Sequence, residues 1–362
     1  MDLAISRNMR FYRGRKILIT GHTGFKGTWL TVMLHCLGAI VTGYALKEEP
    51  ESLYSKICGN ELIKSIHGNL SDYAQLQQVV RDFQPEVVIH MAAFGFIKEC
   101  HANPLRAYRD NVLGTANLLE VLRSSEAVRS IVLVSTDKVY ENCGDGMMYA
   151  ENDALGGSGP YASSKTCMEF LARDYYETYF QSSGRIGLAT VRASNVLGGG
   201  DHVKSRLIPT ILKAVADGHP VDLRHPEQIR PWQSVLDALN GYLTVGRLLY
   251  QAPKTYSEPW NIGPTKEGIR TVGWVFERIK NSFQGLDSRH VLENIVEENT
   301  VLGLDIRKSL TRLDWKPLIP VEKTIDNVVD FFRKQEQGIP ERSICIRQIS
   351  EFLGGCHEKT LG

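Results

Sequence analysis

The sequence predicts an α/β fold built on a doubly wound parallel sheet, with a smaller lobe interleaved toward the C-terminus. Three observations predict it. Short apolar runs alternate with stretches of helical period as far as Arg192; a glycine-rich turn joins the first run to the first helical stretch; and beyond Gly198 the alternation lapses. Strands interleaved regularly with helices imply crossover connections, and hence a parallel sheet covered on both faces.

The first run, Lys16 to Thr20, ends at Gly21, and Phe25, Trp29, Leu30, Met33, Leu34 and Leu37 follow at helical spacing. Further strands are expected at Ile40 to Ala45, Lys64 to His67, Glu86 to Met91, Ser130 to Ser135 and Gly187 to Arg192. Ser71 is the expected N-cap of a helix over DYAQLQQVVRDF, and Pro104 opens a long helical segment that reaches Leu122. After GGGDHV come a helical RLIPTILKAVADG, a short PVDLR, and then RPWQSVLDALNGYLTVGRLLY and PWNIG, which return to the first lobe. The expected division is residues 13–196 with 228–262 as one domain and 197–227 with 263–340 as the second lobe. Residues 341–362 are expected to form a peripheral C-terminal segment, either a helix or a frayed tail.

Composition narrows the function. Lys and Arg number 42 against 41 Asp and Glu, so no charge excess favours nucleic acid or an anionic membrane surface, and an anionic ligand must be held by local groups. The seven cysteines, at 36, 58, 100, 143, 167, 345 and 356, contain no CxxC pair, so neither a metal site nor a disulfide framework is expected. The opening MDLAISRNMRFYRGRK has no apolar core segment and no later run is long enough to span a bilayer, which together point to a soluble cytoplasmic protein.

Gly21, Gly24 and Gly27, in GHTGFKG, directly follow the first strand and open the first helix. In that setting a glycine turn brings backbone close to a pyrophosphate, and the N–H groups at the helix start favour its charge, so the first domain reads as dinucleotide-binding. The second strand, in VTGYALKEEP, has no carboxylate at its tip, with Glu48 slightly late, which leaves NAD and NADP both open. Lys47 could meet a 2′-phosphate or be a solvated surface lysine. Asn69 and Leu70, after the third strand, stand where adenine is recognised, or form a plain loop.

Tyr161 and Lys165 make a Tyr-x-x-x-Lys pair, about 6 Å apart along a helix and on nearly one face. A chance helix pattern would give the same letters. What favours chemistry is Ser135-Thr136-Asp137-Lys138 at the C-terminal end of the fifth strand, where open α/β sheets bind ligands. Thr136 can bond a substrate hydroxyl, Asp137 can donate a proton, and Lys138 adds a cation or second proton carrier. Tyrosine acting as a base near neutrality needs its proton affinity lowered by about 4 kcal/mol, which an ammonium and a positive nicotinamide ring could supply.

With the loop, STDK and YASSK in hand, residues 14 to 335 resemble the extended short-chain dehydrogenase/reductase family, whose core is a Rossmann sheet. GHTGFKGTWL, QPEVVIHMAA, NVLGTANLLE, STDKVYEN, YAENDALGG, PYASSK, GGGDHVKSRLIPTIL and IRPWQSVLDALNGYL together are similar to its CDP-glucose 4,6-dehydratase subgroup. The resemblance implies NAD as cofactor, NADP not being excluded, and a nucleotide-sugar substrate, a CDP-hexose, with no nucleic-acid or membrane partner and a homodimer or homotetramer. It implies Thr136, Asp137, Lys138, Tyr161 and Lys165 as catalytic, and Gly21, His22, Gly24, Phe25, Lys26, Gly27, Asn69, Leu70, Ala92, Ala93, Tyr161 and Lys165 toward the cofactor. Phe94, Asn195, Arg206 and Arg230 fall toward the sugar nucleotide; Trp232 reads as core or as adjacent to the nucleotide, core being favoured. Four positions depart from the subgroup: Phe94 replaces a glutamine, Ser234 a histidine, Ser205 an acidic residue and Asn69 an aspartate. The alternatives are a sugar-nucleotide epimerase that loses no water and a non-catalytic dinucleotide-binding protein.

Overall fold

The computed structural model describes residues 2–57, 62–142, 144, 146–290 and 303–354; Cys58, Cys143 and Cys356, and the end of the proposed C-terminal segment, lie outside them. Seven strands form one sheet: β1 (Lys16–Thr20), β2 (Ile40–Ala45), β3 (Lys64–His67), β4 (Val87–His90), β5 (Ser130–Val134), β6 (Gly187–Ala193) and β7 (Trp260–Ile262). All pairings are parallel, in the order β7-β6-β5-β4-β1-β2-β3. The order reverses between β1 and β4, so the crevice that receives ligands opens beyond their carboxyl ends. β5 and β6 are buried along their whole length, as strands covered on both faces must be.

One face packs on the helices Phe25–Cys36 and Val235–Gln251, with Trp29, Leu239 and Tyr242 in its core. The other packs on Tyr73–Phe83, Gly114–Arg123 and Gly159–Tyr175, around Leu76, Leu118 and Met168. Pro104 does open its helix; the segment then passes through a wide turn at Arg109–Leu113 before Gly114–Arg123. A separate core of Leu197, Ile211, Trp232, Phe276 and Val328 holds the second lobe, which makes Trp232 a core residue, its indole donating to the Arg270 carbonyl at 3.0 Å.

One expectation changes, one further helix is found, and one open alternative is decided. The helix over Tyr73–Phe83 is capped not by Ser71 but by Asp72, which accepts from the Gln75 N–H at 3.0 Å, while the Ser71 hydroxyl is taken up by Asn69 Oδ1. Residues before 13 are structured: Asp2 caps the helix Leu3–Tyr12, whose Tyr12 hydroxyl donates to the Leu243 carbonyl at 2.7 Å and whose Asn8 amide bonds Asn240 at 2.9 Å. Residues 341–352 form no frayed tail but the helix Glu341–Phe352, with Ile344, Cys345 and Ile349 in the main core.

Histidine burial gives the fold a defined acid sensitivity. His90 bonds Thr20 at 2.6 Å and Thr115 at 3.0 Å, and burial holds its proton affinity down at about 3; burial likewise takes His22 to about 4. Both are neutral when folded and gain a proton more readily when unfolded, so their contribution is complete above the ordinary value of 6.5 and is lost as pH falls toward 4. Thermal melts between pH 8 and pH 4 should show stability falling by roughly 1.4 kcal/mol per histidine per pH unit below the ordinary value. A His90→Asn variant should show a shallower slope; an equal slope removes His90 from the account.

Candidate active site

The glycine loop is built for close backbone approach. Gly21 has φ +76°, and a Cβ there would sit 2.6 Å from the Ala92 nitrogen; one on Gly27 would sit 2.2 Å from the Gly21 carbonyl oxygen. The first glycine is therefore required by the turn and the third by helix-to-strand contact. At Gly24, the helix N-cap, a Cβ would meet only Gly21 O at 3.4 Å, so the exposed side is clear, and no side chain caps the helix start. A clear glycine before a helix N-terminus fits a dinucleotide pyrophosphate.

Other loop residues divide by direction. The His22 ring is fully buried, bonding Ser65 Oγ at 2.7 Å and set edge-on to Tyr54, so only its backbone belongs to the loop's outer side. Phe25 is buried in the main core. Lys26 turns inward, its ammonium donating to the Tyr242 hydroxyl at 3.3 Å; burial, with Arg206 nearby, lowers it to about 8. Glu48 pairs with His67 at 3.0 Å and Lys47 is exposed. Asn69 Oδ1 accepts from the Ser71 N–H at 2.9 Å, and its carbonyl from the Tyr44 hydroxyl at 2.8 Å. Leu70 is buried beside Gly114; Ala92 and Ala93 follow β4, with Ala93 exposed.

Beyond β5 the chain makes a short turn, Asp137–Val139, capped by Thr136. Thr136 Oγ1 donates to Asp137 Oδ1 at 3.2 Å, and its influence on Tyr161 favours the phenolate. Tyr161 and Lys165 lie in the first turns of Gly159–Tyr175, and Lys165 Nζ donates to the Val134 carbonyl at 2.7 Å, with Met168 Sδ at 3.1 Å. The strand end and the helix are thus tied by the lysine itself.

Burial dominates the electrostatics. It pushes Tyr161 up to about 12 despite the influence of Thr136, and lowers Lys165 to about 7, with Lys26 adding to the effect. The phenol is thus shifted opposite to the direction a base needs, and bringing it to neutrality takes roughly 7 kcal/mol of phenolate stabilisation. Burial also raises Asp137, against the pull of Lys138, Thr136, Arg230 and Lys26. Lys138 is half-buried. A buried carboxyl with raised proton affinity suits a general acid.

Arg206 and Arg230 face the same centre. Arg206, the N-cap of the helix Leu207–Asp217, is held by Asp201 at 2.8 Å, and its charge is felt by Tyr161 and Lys26. Arg230, buried on the strand Ile229–Ser234, acts on Asp137 and bonds Gln228 at 2.9 Å. Asn195 is on the neighbouring strand, in register with Trp232. The Phe94 ring is 7% exposed, stacked 4.2 Å beneath the Arg106 guanidinium and packed with Cys100, Ala107 and Tyr161. It walls the phenol. Ser234, one of the departures, caps its helix through the Leu236 N–H at 3.2 Å.

One residue escaped the sequence reading. Asn111 accepts from the Phe94 N–H at 2.7 Å and donates to the Phe94 carbonyl at 3.1 Å and to Ser164 Oγ at 2.9 Å, fixing the segment after β4 against the Tyr161 helix. Its place in the wide turn Arg109–Leu113 carries no local signal. Among the described residues no cluster of three His, Cys, Asp or Glu could hold a metal ion, and no helix is long and apolar enough to cross a membrane.

The model of the NAD dependent epimerase/dehydratase family matches residues 17–263. The chain belongs to this family. Its cofactor is therefore NAD, and the glycine loop is where the family's dinucleotide requirement meets a fitting cradle. CDP-glucose 4,6-dehydratase of Salmonella typhimurium strain LT2 is 37% identical over 351 residues, covering 95% of this chain and 97% of that one. Among solved structures, epimerase Mth375 from Methanothermobacter thermautotrophicus superposes with a TM-score of 0.82 at 21% identity, covering 93% of this chain and 97% of that one. dTDP-glucose 4,6-dehydratase from Bacillus anthracis in complex with NAD gives 0.75 at 23%, covering 90% and 98%. These two establish the epimerase/dehydratase fold.

Gly27→Ala should break the cradle, because its Cβ cannot coexist with the Gly21 carbonyl oxygen at 2.2 Å. The expected result is a loss of NAD affinity of at least tenfold by calorimetric titration, whereas Gly218→Ala, in open space, should leave affinity unchanged. Equal affinities in wild type and Gly27→Ala would show that the loop does not depend on this contact.

Proposed function

We propose that this chain is a nucleotide-sugar 4,6-dehydratase that converts CDP-glucose to CDP-4-keto-6-deoxyglucose. The observation that carries the reading is the meeting of Thr136, Asp137 and Tyr161 in one buried centre, on a chain 37% identical to a CDP-glucose 4,6-dehydratase along 95% of its length. NAD held at the glycine loop would supply the hydride chemistry, taken up from C4 of the sugar and given back at C6, with no net redox change.

The protein's own groups manage the protons. Tyr161 takes the C4 hydroxyl proton while Thr136, bonded to Asp137 and acting on Tyr161, holds that hydroxyl in place. The C4 ketone acidifies C5, where Lys138, or a water it positions, removes the proton. Asp137 protonates the departing C6 hydroxyl, which leaves as water, and C5 regains a proton as C6 is reduced. The loop glycines with Asn69, Leu70, Ala92 and Ala93 hold the dinucleotide, and Lys165 orients its nicotinamide ribose. Arg206 and Arg230 grip the substrate diphosphate, for which the guanidinium fork is suited, with Asn195 beside them. Residues 197–227 with 263–340 serve as the nucleotide-sugar lobe.

Incubating purified protein with CDP-glucose and NAD should give a product lighter by one water in the mass spectrum; a product of unchanged mass means epimerisation, and no turnover despite NAD binding means a non-catalytic protein. Tyr161→Phe should lower kcat by a factor of about 10²–10⁴ with CDP-glucose affinity retained. Unchanged kcat removes Tyr161 from the mechanism.

The enzyme is proposed to act in the cytoplasm as a homodimer or homotetramer. Exposed apolar side chains on adjoining helical segments support this: Leu105 and Leu113 at 85% and 62% exposure, and Phe170 and Tyr179 at 44% and 45%. A Leu113→Glu/Phe170→Glu variant should sediment as a monomer where the wild type does not; sedimentation identical to wild type places the interface elsewhere.

A further inference from the structure

Away from the reacting groups, the described residues contain a buried polar cluster that the proposed mechanism does not use. Glu169 stands one helical turn beyond Lys165, and its side chain and that of Arg192 on β6 are each 2% exposed. Arg192 grips it bidentately, Nε to Oε1 at 3.0 Å and Nη2 to Oε2 at 2.9 Å, and the Thr190 hydroxyl adds a bond to Oε2 at 2.7 Å. The remaining nitrogen of the same guanidinium, Nη1, donates to the Tyr140 hydroxyl at 2.9 Å and to the Glu151 carbonyl at 3.0 Å. Tyr140 passes its own proton to Asn261 Oδ1 on β7 at 2.7 Å and stacks on Tyr149.

Tyr140 and Glu169 are not neighbours in sequence, but each lies close to one half of the proposed site. Tyr140 immediately follows the Asp137–Val139 turn, and Glu169 shares a helix with Tyr161 and Lys165. A single planar cation therefore bonds the segment that carries Asp137 and Lys138 and the segment that carries Tyr161. A bidentate guanidinium constrains angle as well as distance, which a flexible apolar contact does not. Burying an ion pair is weak evidence of a role in stability, since apolar replacements often serve as well. Its retention here calls for a geometric reason.

We propose that Arg192 and Glu169 are positioning residues that set the separation and angle between the proton donor Asp137 and the base Tyr161, so that C4 oxidation and loss of the C6 hydroxyl stay in step. The inference rests on the roles assigned to Asp137 and Tyr161. Neither Arg192 nor Glu169 touches the reacting atoms, so the expected signature is a fall in kcat with KM unchanged.

The test is the double variant Glu169→Met/Arg192→Met in the full chain, which removes both charges together and leaves neither stranded. Wild type is assayed first with CDP-glucose and NAD; failure there to release water overturns the dehydratase reading and not this inference alone. Given an active wild type, the double variant should keep its near-ultraviolet circular dichroism and thermal midpoint, lose at least tenfold in kcat, hold KM within about twofold, and accumulate absorbance at 340 nm during turnover as oxidation outruns dehydration. Tyr140→Phe, which deletes only the hydroxyl between Arg192 and Asn261, should show the same pattern with a smaller loss, and is the deciding variant if the double replacement does not fold. Wild-type kcat with no absorbance at 340 nm in a folded variant of either kind overturns the proposal.

Discussion

The hydrogen bond from Lys165 to the Val134 carbonyl, 2.7 Å long, is the constraint on which the site depends. Val134 is the last residue of β5, so the bond anchors the helix that carries Tyr161 to the strand end that carries Thr136, Asp137 and Lys138. Sheet geometry supplies the rest. Parallel register places the ends of β1, β4 and β5 side by side, so the glycine loop, the Ala92–Ala93 segment and the STDK turn arrive at one crevice without long connections. The bond costs burial of an ammonium, and the cost is visible in the lowered proton affinity of Lys165.

The crevice gathers a charge that the whole chain does not have. Overall the balance is one positive charge, yet Lys26, Lys138, Lys165, Arg206 and Arg230 all act on a centre whose described acid is Asp137. Packing like charges into low dielectric is unfavourable unless a polyanion completes the arrangement. A dinucleotide and a sugar nucleotide each bring a diphosphate, a charge that Arg206, at a helix start, and Arg230, on the strand Ile229–Ser234, are suited to meet. Asp201 restrains the Arg206 side chain, limiting the entropy it would lose on meeting a ligand.

Strand positions were legible to within a residue or two, because buried parallel strands are uninterrupted apolar runs bounded by turn residues. The glycine loop was legible for a similar reason: Gly21 and Gly27 answer steric demands of the turn, and Gly24 leaves the helix start clear. The helix Leu3–Tyr12 was not, since its buried face includes Asn8 and its other face carries Arg7 and Arg10, so the apolar period is broken and the partners Asn240 and Leu243 lie far away in sequence. Ser71 and Asp72 are both good caps, and the competing bond from the Ser71 hydroxyl to Asn69 Oδ1 decides between them. Glu169 and Arg192 are 23 positions apart, and charged residues without a local partner look like surface. Phe94 was assigned by the resemblance alone; its seat under Arg106 and against Tyr161 is a contact no spacing rule anticipates.

The seating of Phe94 bears on the phenol's chemistry. With Cys100 and Ala107 it forms an apolar wall on Tyr161, and the wall is part of the burial that takes the phenol to about 12. At that value essentially no phenolate exists near neutrality, so the protein alone does not hold a standing base. Of the groups that act on Tyr161, Thr136 and Arg206 favour phenolate, while Asp137 and Cys100 oppose it. Arg206 stands at the start of the helix Leu207–Asp217 and Thr136 at the turn after β5, so the two favourable influences come from separate elements. Lowering the proton affinity of Tyr161 therefore depends on those separate elements acting together against the burial that the apolar wall adds to.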